Sequence, residues 1–122
     1  MIIFSIVAVL MFTGDVSATA GDDALTVEST YYDTVILPYD KMDSIEYRES
    51  GNLGTRQFGY GSVKLSLGIF KNDELGSYTR YTYNATKSYI LITSEGKALV
   101  INLATDGETK ALYDELMLKI GE

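Results

Sequence analysis

The chain contains no histidine and no cysteine among its 122 residues, which removes several kinds of functional site at once. Histidine is the commonest general base, and imidazole and thiolate are the usual ligands of zinc and other transition metals. Any catalysis would therefore rest on carboxylates, lysine, tyrosine or serine. The absence of cysteine also excludes disulfide bonds and cysteine-linked lipids, and it is compatible with both the cytosol and a bacterial cell surface.

Positive charge is scarce as well, since ten Lys and Arg stand against seventeen Asp and Glu, giving a formal net charge of −7. A chain of this charge repels nucleic-acid backbones and anionic membrane surfaces. We therefore expect no nucleic-acid partner, and we expect anionic lipid headgroups to be disfavoured as ligands. The length and the hydrophobic fraction of 46% fit a single globular domain.

The longest apolar run lies at the N-terminus, where the first twelve residues read MIIFSIVAVLMF. As a helix the run would cross only about half of a bilayer core, but it has the length of the apolar region of a signal peptide. Ala18-Thr19-Ala20 supplies a matching cleavage site, whereas no Lys or Arg precedes the run. We expect residues 1–23 to form a hydrophobic anchor or signal segment with a spacer, ahead of a domain at residues 24–122.

The location of the domain is predicted from the charges beside this run. Asp15, Asp22 and Asp23 lie on its C-terminal side, which favours an N-terminus inside the cell and a domain outside. We therefore predict a protein of the cell membrane or envelope with an extracytoplasmic domain, and the alternative is secretion after cleavage at Ala20. The stretch from Val16 also alternates like a first strand, and cleavage would then remove part of the sheet.

Seven short runs of alternating hydrophobicity from Leu25 onward precede one helix, which indicates an antiparallel barrel or sandwich rather than an alternating α/β fold. The predicted helix, Asp106–Ile120, begins with the capping box Thr105-x-x-Glu108, and Gly121 stands where a C-terminal cap would. Its apolar stripe is expected to pack against the strands. The residues of this predicted core are Leu112, Leu116 and Ile120 with Leu25, Val35, Ile45, Leu65, Leu67 and residues of the last hairpin.

Three segments between the runs are predicted to be turns or loops. Ser50–Gly61 carries four glycines in twelve residues and is predicted to be the longest loop. Glu95-Gly96 predicts a hairpin between the last two strands. Asn84-Ala85-Thr86 fits a glycosylation sequon, but we interpret it as the turn after Tyr83.

The order of these features resembles the bacterial pleckstrin-homology-like family found in small membrane-anchored proteins. The resemblance implies a mainly β fold, an antiparallel barrel or sandwich of about seven strands with one C-terminal helix, and it brings no catalytic mechanism or cofactor. Eukaryotic lipid-binding relatives use Lys and Arg around the first hairpin, whereas Asp22–Asp40 has no basic residue, so lipid binding is not implied. The matching pieces are Tyr31 with Ile36, Asp43-Ser44-Ile45-Glu46-Tyr47, Gly59-Tyr60-Gly61, Gly68-Ile69-Phe70, Tyr89-Ile90-Leu91-Ile92-Thr93, Asn102, and Glu108-Thr109 with Tyr113 and Leu116.

The candidate recognition residues are Arg56, Phe58 and Tyr60 in the glycine-rich segment. Arg, Phe and Tyr displayed on a loop are residue types that dominate interface hot spots. The alternative interpretation is a loop folded over the end of the barrel with Phe58 buried.

Three functions remain open from the sequence. The leading one is a non-catalytic binding or scaffold module at the bacterial membrane, with a protein as its partner. The second is a binder of a lipid headgroup or small ligand at the mouth of the barrel. The third is a small hydrolase that uses Asp40, Asp43 and Glu46; these residues match no calcium-loop pattern, and we interpret them as a solvated turn and strand edge. We expect no enzyme activity, no metal and no cofactor.

Overall fold

The computed structural model describes residues 15–51, 53–61 and 64–120, without the side chains of Phe58 and Tyr60. Within these ranges the chain forms nine strands, a short 3-10 helix (Tyr39–Lys41) and one α-helix, α1 (Asp106–Ile120). The apolar run of the first twelve residues and the predicted cap Gly121 lie outside the described residues. The strands are β1 Val16–Ala20, β2 Ala24–Ser29, β3 Val35–Pro38, β4 Met42–Arg48, β5 Thr55–Gly61, β6 Leu65–Asn72, β7 Gly76–Tyr83, β8 Tyr89–Ser94 and β9 Lys97–Ile101.

The described strands form a small sheet in the order β1-β2-β3 and a large sheet in the order β4-β8-β9-β7-β6-β5. All of these neighbours are antiparallel except β7 and β9, which run parallel through the pairs Thr79–Leu99, Arg80–Val100 and Tyr81–Ile101. The large sheet is open, with β4 and β5 at its edges. The predicted mainly β fold with one C-terminal helix is confirmed, in its sandwich form rather than as a closed barrel.

The sequence did not decide whether the stretch from Val16 forms a first strand or belongs to a spacer. β1 pairs with β2 along its whole length, from Val16 opposite Ser29 to Ala20 opposite Leu25. Val16 is buried in the core, because alternate residues of β1 face inward. The folded part of the chain therefore extends upstream of Ala24, into residues that the predicted boundary placed in a spacer.

The prediction of a loop over Ser50–Gly61 is wrong for the second half of this segment, because the residues from Thr55 onward form β5. β5 pairs with β6 and has a register shift after Arg56. Gly59 has φ 124° and lies so close to β6 that a Cβ atom would collide with the Leu67 carbonyl oxygen. A glycine that signals a loop in sequence therefore permits a bulged strand to approach its neighbour.

The main core lies between the small sheet, one face of the large sheet and α1. Leu112 and Leu116 of α1 are 5% and 0% exposed, whereas Ile120 is half-buried. Thr105 caps the helix by accepting a hydrogen bond from the Glu108 N–H at 3.1 Å. The predicted strand partners of the helix lie in this core: Leu25, Leu65 and Leu67 are buried, and Val35 and Ile45 are partly buried.

Two of the predicted turns are confirmed. Glu95 and Gly96 have positive φ values of 52° and 79°, and they join β8 to β9 in a two-residue hairpin. This backbone conformation matches the twist of the strands on either side. Asn84 and Ala85 form the turn after β7, where the Asn84 N–H donates to the Lys64 carbonyl oxygen at 2.8 Å.

Candidate functional site

The large sheet has a second apolar face, the outer face, which points away from the small sheet. Leu53, Leu75 and Ala98 pack against it, and we call the segment of Ser50, Gly51 and Leu53 the strap. Tyr78 donates a hydrogen bond to the Leu53 carbonyl oxygen, and Gly51 lies so close to the Tyr89 hydroxyl that a Cβ atom would collide with it. Two tyrosines therefore seat the strap on the sheet. The buried residues of the outer face are Phe70, Tyr78, Tyr89, Leu91 and Val100.

A pocket of about 330 Å³ opens between the strap and the turn that follows β7. This volume lies at the lower end of the range for small-ligand sites. Its lining contains two cationic side chains and no carboxylate, in a chain whose net charge is −7. The residues that line this basic pocket are Ser50, Gly51, Leu53, Arg80, Asn84, Thr86 and Lys87.

Arg80 is the half-buried cation of the basic pocket. Its guanidinium carbon lies 4.8 Å from the centroid of the Phe70 ring, and its Nε donates to Thr82 Oγ1 at 2.5 Å. Burial lowers the pKa of Arg80, while the charge and hydrogen bond of Tyr78 act in the opposite direction. Among the described residues no carboxylate forms an ion pair with Arg80. A cation in such a setting usually has an anionic partner.

The turn that carries the other wall of the pocket is fixed by one buried amide, Asn102, which is 1% exposed. Asn102 Oδ1 accepts a hydrogen bond from the Tyr83 N–H at 2.6 Å. Its Nδ2 donates to the carbonyl oxygens of Tyr83, Thr86 and Ser88 at 3.3, 3.1 and 3.1 Å. These bonds hold the backbone on both sides of Lys87, so its position relative to Arg80 is determined by the core.

Lys87 also has an acidic neighbour outside the pocket lining. Hydrogen bonds from the Ser88 hydroxyl at 2.5 Å and the Ser88 N–H at 3.2 Å lower the pKa of Asp106, and the charge of Lys87 lowers it further. Asp106 begins α1 and does not line the basic pocket. Asp106 therefore offsets part of the Lys87 charge from outside the pocket, whereas no carboxylate lines the pocket itself.

The family is identified by comparison with known proteins. A sequence model described as Bacterial PH domain matches residues 16–115, which is most of the chain and begins at the first residue of β1. The chain belongs to the bacterial PH domain family. No curated protein and no solved structure matches the chain. Because PH-like domains are typically non-catalytic binding modules, membership indicates a binding or scaffold module.

The predicted recognition residues of this PH domain lie on the edge strand β5 and not on a loop. Arg56 is exposed and stands opposite Phe70 of β6, and its guanidinium occupies the space beside Gly61. Phe58 and Tyr60 belong to the same strand, but their side chains lie outside the described part of the chain. Their joint role in binding stays a prediction.

The three acidic residues of the hydrolase hypothesis share no described pocket in this PH domain. Asp43 Oδ2 accepts a hydrogen bond from the Glu95 N–H at 2.9 Å, and Glu46 forms an ion pair with Arg48 at 3.1 Å. The pocket that Asp40 lines contains neither of the other two. In the ranges that the structure describes, no group of three or more His, Cys, Asp or Glu is arranged to hold a metal, and no helix is long and apolar enough to cross a membrane.

The basic pocket was not predicted from the sequence, because its residues come from three separate segments. One signal for it was present. Tyr78, Arg80 and Thr82 are two residues apart along β7, so all three lie on one face of the strand. An arginine between two residues that face a covered surface is a signal for a buried cation. From the sequence, Asn102 is recognisable only as part of the family resemblance.

Proposed function

We propose that this PH domain is a non-catalytic module that binds a protein partner at the bacterial cell envelope through the edge strand β5. The observation that carries the proposal is the open edge itself. β5 pairs with β6 on one side and with no described strand on the other. Such an edge offers backbone N–H and C=O groups to an extended segment of a partner, which adds as a further strand.

The side chains of β5 support a selective interaction. Arg56 and Gln57 are exposed, and Gln57 is oriented by a hydrogen bond that its Oε1 accepts from the Ser77 hydroxyl at 2.9 Å. The bulge after Arg56 and the charge of that residue disfavour pairing between two copies of the same edge. A partner segment with an acidic residue opposite Arg56 fits this edge best.

The envelope location rests on the N-terminal apolar run together with β1. Cleavage after Ala20 would remove a strand whose Val16 is buried and donates its N–H to the Tyr83 hydroxyl at 2.9 Å. Loss of a paired strand with a core residue is costly, which supports a retained N-terminal segment. We therefore favour an anchored, extracytoplasmic domain over a secreted one.

The hydrolase alternative that uses Asp40, Asp43 and Glu46 is disfavoured by the contacts of these residues. Asp43 closes the β8–β9 hairpin and Glu46 holds Arg48, so both carboxylates have structural partners. A hydrolytic pair requires two carboxylates that face a common pocket. The described pockets offer no such pair from Asp40, Asp43 and Glu46.

The partner is tested by placing a photo-crosslinking residue at position 57 of the full chain in bacterial cells. We expect a discrete adduct with another protein, which is lost when Arg56→Glu is added. The same crosslinker at Glu95, exposed at the tip of the β8–β9 hairpin, serves as the control. Absence of an adduct from position 57, or an equal adduct from position 95, would contradict binding at β5.

Cell fractionation with N-terminal sequencing tests the location separately. We expect the chain in the membrane fraction with the residues before Val16 retained. A mature chain that starts at Gly21 would contradict the anchor, and a soluble cytosolic protein would contradict the envelope location.

A further inference from the structure

We infer that the basic pocket binds a phosphate group, carried by a small molecule or by a lipid headgroup. The inference is independent of the binding proposed for β5, since Arg56 and Gln57 do not line the pocket. It rests on the charge of the lining, on the partners of Arg80 and on the size of the cavity.

The comparison with Arg48 shows what Arg80 lacks. Both arginines belong to the outer face, but Arg48 is held by Glu74 through contacts of 2.5 and 2.7 Å and by Glu46 at 3.1 Å. Arg80 contacts only hydroxyl groups and an aromatic ring among the described residues. Its guanidinium is therefore positioned by neutral groups, and its charge is left for a ligand.

The charge of the site selects the ligand. Arg80 and Lys87 together carry two positive charges and the lining holds no carboxylate, although Asp106 outside the lining offsets part of the charge of Lys87. A phosphate monoester carries nearly two negative charges at neutral pH and accepts several hydrogen bonds, whereas a carboxylate carries one charge. The hydroxyl of Ser50 also lines the pocket and can donate a hydrogen bond to a phosphate oxygen.

The residues around Arg80 favour its binding to a ligand over its solvation by water. The hydrogen bond to Thr82 and the contact with Phe70 fix the guanidinium before a ligand arrives, which lowers the entropic cost of binding. The volume of about 330 Å³ exceeds that of a phosphate alone and leaves room for an organic moiety beside Leu53. The ligand class is therefore a phosphate ester and not a bare ion.

The test is a titration of the full chain in neutral detergent micelles, followed by the ¹⁵N–¹H signals of the Arg80 side chain and of residues 84–88. The probes are inorganic phosphate and short-chain phosphatidic acid, each against sodium chloride at equal ionic strength. We expect saturable shifts that Arg80→Gln weakens by about tenfold or more. Arg56→Gln, the same charge change on the edge strand β5, which β6 separates from β7, should leave the affinity at the wild-type level.

Two further variants keep the test decisive if Arg80→Gln fails to fold. Lys87 is exposed, so Lys87→Gln should fold and weaken binding, whereas Lys97→Gln at the far end of β9 should not. Tighter binding of phosphatidic acid than of inorganic phosphate would support an ester and assign the site to a headgroup, whereas the reverse order would show that the organic moiety adds nothing and would contradict the ester. Shifts that sodium chloride reproduces, or an equal loss in Arg56→Gln, would overturn the inference.

Discussion

The two faces of the large sheet are built for different tasks. The inner face is covered by the small sheet and α1, and its residues Leu65, Leu67, Ile90, Ile92 and Ile101 are all 0% exposed. The outer face is covered in part by the short strap, which leaves a pocket beside a half-buried arginine. Complete burial of apolar surface stabilises a fold, whereas a partly buried charge does not. Stability is therefore concentrated on the inner face and recognition chemistry on the outer one.

The polar groups follow the same division. On the inner face, Tyr81 donates its hydroxyl hydrogen to the Asp33 carbonyl oxygen, and Tyr83 contacts the backbone of Val16. These bonds join the large sheet to the small one, so each buried hydroxyl also fixes the packing. On the outer face, Arg80 forms no ion pair with another element among the described residues, so its charge does not link two elements.

The largest effect is expected from the inner face. Leu116→Ala empties a site that is 0% exposed and should lower the free energy of unfolding by about 2–5 kcal/mol, measured by urea denaturation. Leu118→Ala is the matched control, since Leu118 lies on the same helix and is 72% exposed, and it should change the stability by less than about 0.5 kcal/mol. An unchanged midpoint for Leu116→Ala would show that α1 does not form part of the core.

An intermediate effect with a defined pH dependence is expected at Tyr81. Burial, with help from Tyr32 and Asp33, raises the pKa of Tyr81 from 10.0 to about 12. The folded state therefore favours the protonated hydroxyl, whose contribution is complete below the unfolded pKa and is lost as the pH rises through the folded one. Tyr81→Phe should lower stability by about 1 kcal/mol near neutral pH, because the hydrogen bond to Asp33 is lost.

The pH series distinguishes this effect from simple loss of packing. As the pH rises from 10.0 towards 12, wild type should lose stability that Tyr81→Phe does not lose, so the two unfolding curves should converge. Both proteins keep every other tyrosine, so the comparison isolates the side chain at position 81. A difference in stability that stays constant over this interval would refute the assignment of the raised pKa to Tyr81.

The smallest effect on stability is expected on the outer face. Arg80→Met keeps a flexible apolar side chain near Phe70 and removes a half-buried charge, so stability should stay within about 1 kcal/mol of wild type or rise. Arg48→Met removes the ion pairs with Glu46 and Glu74 at the surface and should also cost less than about 1 kcal/mol. Only Arg80→Met should abolish the phosphate-dependent shifts. A loss above about 2 kcal/mol in Arg80→Met would mean that this arginine serves the fold rather than a ligand.

The sequence predicted best what depends on neighbouring residues. The bounds of α1 follow from the cap at Thr105 and from the apolar spacing of Leu112 and Leu116, which are local properties. The β8–β9 hairpin follows from Glu95 and Gly96, whose positive φ values suit a two-residue turn. Seven strands were found in this way, since each shows its alternation without reference to a partner.

The remaining features depend on contacts between distant segments. β5 was predicted to be a loop because Gly59 and its neighbouring glycines are typical of loops, and only the approach to Leu67 shows why glycine is required in a strand there. The basic pocket joins Ser50, Arg80 and Lys87, which are brought together by strand order and not by spacing along the chain. A site of this kind requires the topology before its residues can be recognised together.

The parallel pairing of β7 with β9 has a consequence for how the sheet assembles. The described part of the large sheet consists of the antiparallel sets β5-β6-β7 and β4-β8-β9, joined by the three pairs Thr79–Leu99, Arg80–Val100 and Tyr81–Ile101. Until that seam closes, the two sets present four open edges instead of two, and the extra pair consists of strands without proline. Unpaired edges of this kind are where chains associate wrongly. The short seam is therefore the point at which incomplete folding of this chain would turn into aggregation.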